Sequence, residues 1–144
     1  MRILGLDYGS KTVGVAVSDP FGWTAQGIET IRRKEENNLV NTISRLREII
    51  ESYQVDKIVL GFPKNMNNTE GERVEKTLLF KKRLEREFDV EVVVWDERLS
   101  TIGAQRILLE ADIGRKKQKQ VIDKMAAVFF LQGFLDANKS NNTN

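Results

Sequence analysis

Neither cysteine nor histidine occurs in this 144-residue chain, and the two absences remove whole classes of chemistry. Without thiols there are no disulfides and no zinc–thiolate sites. Without imidazole there is no histidine base, so cysteine–histidine and serine–histidine triads are excluded. Any chemistry must come from carboxylates, amines, hydroxyls or a bound metal, and carboxylate oxygens suit hard cations such as Mg²⁺ or Mn²⁺. Long hydrophobic runs are missing too. The start, Met1 to Leu6, is too short for a signal-peptide core and no later stretch approaches a membrane span, so a cytoplasmic location without membrane contact is expected. Charge of one sign is also scarce, with 23 Lys and Arg against 21 Asp and Glu; any basic surface must therefore be local.

What is present fills one good core. With 40% hydrophobic residues, the chain is expected to form a single domain over residues 1–137, followed by a fraying polar tail over 138–144. Ile3 to Leu6 reads as a buried strand, and the alternation of Val13, Val15 and Val17 as a second, half-buried one. Asp19-Pro20-Phe21-Gly22 is turn chemistry, and Gln26 to Ile31 supplies a third strand before a charged break at Arg32 to Glu36. The period then changes. Leu39, Ile43, Leu46, Ile50 and Tyr53 recur at helical spacing, and Lys57 to Gly61 is a compact apolar strand. Thr69-Glu70-Gly71-Glu72 fits a capping box opening a helix to Phe88, with Val90 to Trp95 as another strand. Helices are expected over Thr101 to Ala111 and from Lys117 to Ala137. This order predicts an α/β fold, a mixed five-stranded sheet with helices on both faces.

In open α/β sheets, functional groups gather where strands end at their carboxyl termini. Asp7 stands there, although a turn aspartate bonding nearby amides would read the same way. Gly5 to Thr12 nearly matches the phosphate loop G-x-x-x-x-G-K-[ST], failing at Ser10. A true phosphate loop leads into a helix, whereas Val13 to Val17 continues as a strand, and that context rejects the motif. Sugar kinases and actin open with a similar aspartate and glycine-rich turn, but they close two such domains around the nucleotide and this length supplies one.

Further carboxylates follow. Asp96 and Glu97 end the Val90 to Trp95 strand; because strand side chains alternate, one of the two can face a site, and spacing does not choose between them. Asp123 has Ala126, Ala127 and Phe130 along its flank, an expensive setting for a charge unless a cation or donors stabilise it. It could equally complement a helix dipole or pair with a nearby cation. Acids from a first strand, a later strand and a final helix can converge on one or two ions, about 3.5–4 Å apart in two-metal nucleases, and hydrolyse phosphodiesters without histidine. Beside Asp123, Arg115-Lys116-Lys117-Gln118-Lys119 is the strongest basic cluster, suited to phosphates or simply to solubility. Lys11 in the first turn and Lys64 and Asn65 in the loop after Gly61 are further candidates for nucleic-acid contact. Trp23 and Trp95 read better as packing than as base-stacking groups.

Four segments together resemble the YqgF-type family, pre-16S rRNA nucleases related to RuvC-type Holliday-junction resolvases. They are Gly5-Leu6-Asp7-Tyr8-Gly9-Ser10-Lys11-Thr12-Val13-Gly14-Val15-Ala16, Gly61-Phe62-Pro63-Lys64-Asn65-Met66, Trp95-Asp96-Glu97-Arg98-Leu99-Ser100-Thr101 and Val121-Ile122-Asp123-Lys124-Met125-Ala126-Ala127. The resemblance implies an RNase H-like fold and places Asp7, Glu97 and Asp123 on the acidic metal-binding and catalytic positions, favouring Glu97 over Asp96. It implies a Mg²⁺- or Mn²⁺-dependent nuclease acting on pre-rRNA, with Arg98 and the basic loop positioning phosphate. A resolvase of four-way DNA junctions is the alternative, which should act as a dimer because it must cut two strands symmetrically, and the expected state is a monomer or a homodimer; a noncatalytic nucleic-acid- or nucleotide-binding module is an alternative of another class. The fourth acid that RuvC-type enzymes carry in the final helix has no clear counterpart here.

Overall fold

Val13, Val15 and Val17 alternate with Gly14 and Ala16, the pattern of a strand with one bulky face and one that something approaches closely. In the computed structural model, which describes residues 2–62, 70–96 and 125–137, they lie on β2 (Thr12–Ser18). β2 pairs antiparallel with β1 (Arg2–Tyr8) on one side and with β3 (Ala25–Arg32) on the other. The turn between β2 and β3 uses the residues read as turn chemistry: the Trp23 amide donates to Asp19 Oδ1 at 2.7 Å, and Gly22 takes φ +71°. After α1 (Val40–Tyr53), β4 (Val55–Phe62) pairs parallel with β1. After α2 (Glu70–Glu87), β5 (Glu91–Asp96) pairs parallel with β4. The result is a mixed five-stranded sheet in the order β3-β2-β1-β4-β5, as the sequence pattern implied. Residues 125–137 form a further helix, α3. The capping residue Thr69, the expected helix over Thr101 to Ala111, the start of the last helix at Lys117 and the tail 138–144 lie outside the described residues.

The central strand divides its side chains between two cores. Leu4, Leu6 and Tyr8 are buried with Ile43, Leu46 and Ile49 of α1 and with Phe80 and Leu84 of α2. On the other face Ala16 and Val59 are buried beneath Ala127, Phe130, Leu131, Phe134 and Leu135 of α3. Helices therefore cover both faces. In α1 the buried line is Thr42, Ile43, Leu46 and Ile49, while Leu39, Ile50 and Tyr53 are only partly buried against the same core. The apolar stripe is wider than the single line read from spacing, and its centre sits one residue earlier at the carboxyl end. The helix stops at Gln54, in the left-handed region at φ 55°, whose amide caps the Ile50 carbonyl. No glycine marks that stop, so the sequence did not announce it.

α3 lies close against β1. A Cβ on Gly5 would stand 2.9 Å from Leu131 Cβ and 3.3 Å from the Ala127 carbonyl oxygen, so a glycine is required by approach rather than by backbone angle. Further along α3, Gln132 Oε1 accepts from the Ala25 amide at 2.9 Å, and Lys57 Nζ lies 5.8 Å from the Phe134 ring centroid. Lys57 pairs with Ile3, at the amino end of β1. Ala127 and Leu131 thus cross at Gly5 while Phe134 sits back toward Ile3. The helix runs antiparallel to β1, and its first described turn points toward the strand's carboxyl end. Gly5→Ala is expected to destabilise the protein by about 1–3 kcal/mol through overpacking, read as a lowered urea midpoint at constant m-value. An unchanged midpoint would show that α3 is not held this tightly.

Candidate functional site

Odd-numbered positions of β1 lie on the α3 face: Ile3 packs against that core, Gly5 meets Leu131, and Asp7 follows with the same parity. Asp7 is half-buried and pairs in register with Gly14 of β2. On the other side Leu6 pairs with Leu60, which makes Gly61 the next residue of β4 beside Asp7. Glycines on both neighbouring strands leave the carboxylate without flanking side chains in its own row. Gly61 in turn pairs with Trp95 of β5. Trp95 packs edge-on against Phe134 at 5.6 Å between ring centroids, so it is a packing residue of the α3 face, as read from the sequence.

The backbone immediately after Asp7 is held from the opposite face. Arg73 of α2 donates to the Tyr8 carbonyl, and Arg33 Nη2 donates to the Gly9 carbonyl at 2.5 Å. The Gly9 amide donates to the Thr12 carbonyl at 2.7 Å, closing the turn, and the Arg33 amide donates to the Lys11 carbonyl at 2.8 Å. Both guanidinium groups lie over the Tyr8 ring, at 4.7 Å for Arg33 and 5.5 Å for Arg73. Tyr8 itself stacks on Phe80 at 4.2 Å. Glu36 completes the cluster: its Oε2 accepts from Lys76 Nζ at 2.9 Å and its Oε1 lies 3.8 Å from Arg73. Burial pulls the Arg33 pKa below the ordinary arginine value, partly offset by Tyr8 and Glu36. The Lys76 hydrogen bond, helped by the charges of Lys76, Arg73 and Arg33, holds the Glu36 carboxyl below the usual glutamate range against a smaller opposing effect of burial.

Sequence reading missed this clamp. Arg32 to Glu36 registered as a charged break, and no local spacing ties Arg73 or Lys76 to a turn some 65 residues earlier. Of the residues read as functional, Asp7 and Lys11 are described; Lys11 is exposed in the turn after β1. Glu97, Asp123, Lys64, Asn65, Arg98, Arg115, Lys116, Lys117 and Lys119 lie outside the described residues. Among the described residues no three acids gather to hold a metal ion. Two chain positions bear on the missing partners: β5 ends at Asp96, one residue before Glu97, and the described part of α3 begins two residues after Asp123.

The model of a family described as RuvX, Holliday junction resolvase, matches residues 1–137. A protein of Geobacillus sp. (strain WCH70) named "Putative pre-16S rRNA nuclease" is 61% identical, over 96% of this chain and 100% of its own. A Bacillus subtilis (strain 168) protein of the same name is 59% identical, over 95% of this chain and 99% of its own. Among solved structures, Thermus thermophilus RuvC in complex with Holliday junction substrate superposes with a TM-score of 0.60 at 16% identity, covering 96% of each chain. Fowlpox virus resolvase in complex with Holliday junction DNA gives 0.51 at 14% identity, over 96% of this chain and 99% of that one. At such identities the likeness is one of fold, the RNase H-like fold.

The Glu36 cluster has a pH signature. Because the folded pKa lies below the unfolded one, the ion pairs stabilise the protein above the usual glutamate range, and that contribution is lost as pH falls through the lowered folded value. Side-chain exposures of 32% for Lys76 and 25% for Glu36 admit screening and limit the contribution to at most about 1 kcal/mol. Glu36→Gln is expected to melt below wild type near neutral pH and to converge with it in acid. A melting difference that stays constant with pH would contradict the cluster.

Proposed function

Because the chain belongs to the RuvX Holliday junction resolvase family, we propose that it is a nuclease that hydrolyses phosphodiester bonds in processing the 5′ end of pre-16S rRNA. The observation that carries this reading is the identity of about 60% to relatives named for that activity, over nearly the full length of both chains. The family description supports a second reading, cutting of four-way DNA junctions. That reaction requires two sites related by symmetry and hence a homodimer, whereas RNA processing is open to a monomer. Residues 1–137, the span of the family match, constitute the nuclease domain. Among the described residues no helix is long and apolar enough to cross a membrane; action on nucleic acid in the cytoplasm belongs to the same proposal.

Asp7, Glu97 and Asp123 are the residues that would hold Mg²⁺ or Mn²⁺. The donor set fits a hard cation: oxygen ligands only, with no thiol or imidazole to favour a softer metal. The neighbours of Asp7 in its row of the sheet are glycines, which add no side chain there. When bound, such an ion supplies a water of lowered pKa and neutralises charge on the phosphodiester. Parity supports Glu97 over Asp96. Val93 and Trp95 pack against the core under α3, and in the sequence Glu97, not Asp96, follows them at the two-residue interval of a strand face. The direction of α3 supports Asp123, because the helix extends toward the carboxyl end of β1 as it is followed back to its first described residues. Lys11, Lys64, Asn65, Arg98, Arg115, Lys116, Lys117 and Lys119 would bind phosphates around these acids and orient the scissile bond.

Cleavage of pre-16S RNA and of a four-way DNA junction, with Mg²⁺, Mn²⁺ or EDTA, tests the reading. Wild type is expected to cut the RNA, to lose activity in EDTA, and to lose at least about a hundredfold on Asp7→Asn, since even residues behind a metal's ligands cost 10–100-fold. A folded Asp7→Asn protein that cuts like wild type would remove Asp7 from the mechanism.

A further inference from the structure

Cations on the described surface differ in their partners. Arg45, Arg47, Lys57 and Lys81 each meet a carboxylate, at 2.5, 3.3, 3.5 and 3.2 Å respectively. Lys11, Arg32, Lys34, Lys82 and Arg86 are all exposed, and none has a carboxylate partner among the described residues. These five are not scattered. Lys11 and Arg32 belong to adjoining strand ends, with Thr12 paired to Arg32, and Lys34 follows in the segment leading to α1.

That segment has a cavity on each side. One, of about 460 Å³, is lined by Arg32, Arg33, Lys34, Glu35, Asn38 and Asn41, so three cations there outnumber one carboxylate. The other, of about 350 Å³, lies between the segment and α2, with Tyr8 and Phe80 in its lining beside Lys82, Arg83 and Arg86. Glu36 also lines it, but that carboxylate is already engaged by Lys76. Arg83 pairs with Glu87 at 3.3 Å, leaving Lys82 and Arg86 as its uncompensated charges. The two are four residues apart and so neighbour each other on one helix face. Tyr8, the residue after Asp7, belongs to this cavity's lining, so the track and the proposed metal site share one strand end.

Exposed cations that outnumber the carboxylates among them repel one another, and a polyanion relieves that repulsion while releasing its own counterions. We propose that Arg32, Lys34, Lys82 and Arg86, which continue from Lys11 of the proposed site, form a second backbone-binding surface, which grips the phosphates of the nucleic-acid substrate away from the bond that is cut. The proposal rests on the nuclease reading for the identity of the substrate and extends it to cations beyond those placed around the acids. The ligand is the sugar–phosphate backbone, because nothing in the track other than positive charge selects a partner.

The test is fluorescence anisotropy of a labelled pre-16S RNA fragment and a labelled four-way DNA junction, titrated with wild type and with Lys82→Ala/Arg86→Ala from low to high salt. Cleavage is measured on the same samples. Both substituted side chains are exposed, and equal melting temperatures establish that the variant is folded. Losing two phosphate contacts is expected to make the slope of log K against log salt shallower by about 1.4 for single strands or about 1.8 for duplex. KM should rise while kcat stays within about twofold. Unchanged affinity and slope on both nucleic acids would overturn the track while leaving the nuclease reading intact if metal-dependent cleavage persists. A shallower slope without cleavage by either protein would support the track and count against the nuclease. Wild type that binds neither nucleic acid would overturn the track.

Discussion

The close contact between α3 and β1 at Gly5 is the constraint on which the proposed site depends. Leu131 and Ala127 approach so near that no side chain fits between them and the strand. This sets the position of the helix on the sheet, and the Phe134 contact near Lys57 together with the Gln132 bond to Ala25 gives the direction in which it runs. An acid reaching the row of Asp7 from this helix can come only from its amino-terminal side. Packing and candidate chemistry are therefore linked through one strand: even positions of β1 fill the core under α1 and α2, and odd positions meet α3 and end in a carboxylate.

A second constraint works from the other face. A carboxylate at a strand end is only as well placed as the turn behind it, and the turn after Asp7 is tied by guanidinium donors to the carbonyls of Tyr8 and Gly9. Those arginines are oriented in turn by the Tyr8 ring and by Glu36. Charge-assisted hydrogen bonds to backbone are stronger than neutral ones, and preorganised support of this kind is what a metal ligand needs if it is to hold its geometry when an ion and a substrate arrive. The unpaired cations beyond Glu36 begin where that clamp ends, so electrostatics on this face pass from holding the turn to attracting phosphate.

Much of this was legible in the sequence because it is periodic. Valines at every second position, apolar residues at helical spacing and turn residues between them gave the five strands, α1 and α2. Asp7 stood out because it ended a buried strand before a tight turn. Other features were closed to sequence reading for physical reasons. Arg33, Arg73 and Glu36 come together only when α2 docks beside the strand ends, and no short-range spacing records a contact between distant segments. Gln54 ends α1 without glycine, and Ile49 rather than Ile50 lies at the centre of the buried face. The choice between Asp96 and Glu97 was undecidable from spacing, because parity needs a reference, and Glu97 lies outside the described residues.

Paramagnetic broadening by Mn²⁺ tests the proposed metal centre most directly, since it reports proximity to the ion without requiring turnover. With ¹⁵N-labelled protein at substoichiometric Mn²⁺, the amides of Leu6, Asp7 and Tyr8 at the end of β1 and those of Ala126 and Ala127 in the first described turn of α3 are expected to broaden together, ahead of the rest of the sheet. Broadening centred on the Glu36 cluster, or confined to acids elsewhere on the surface with β1 and α3 unaffected, would contradict a cation site built on Asp7, Glu97 and Asp123.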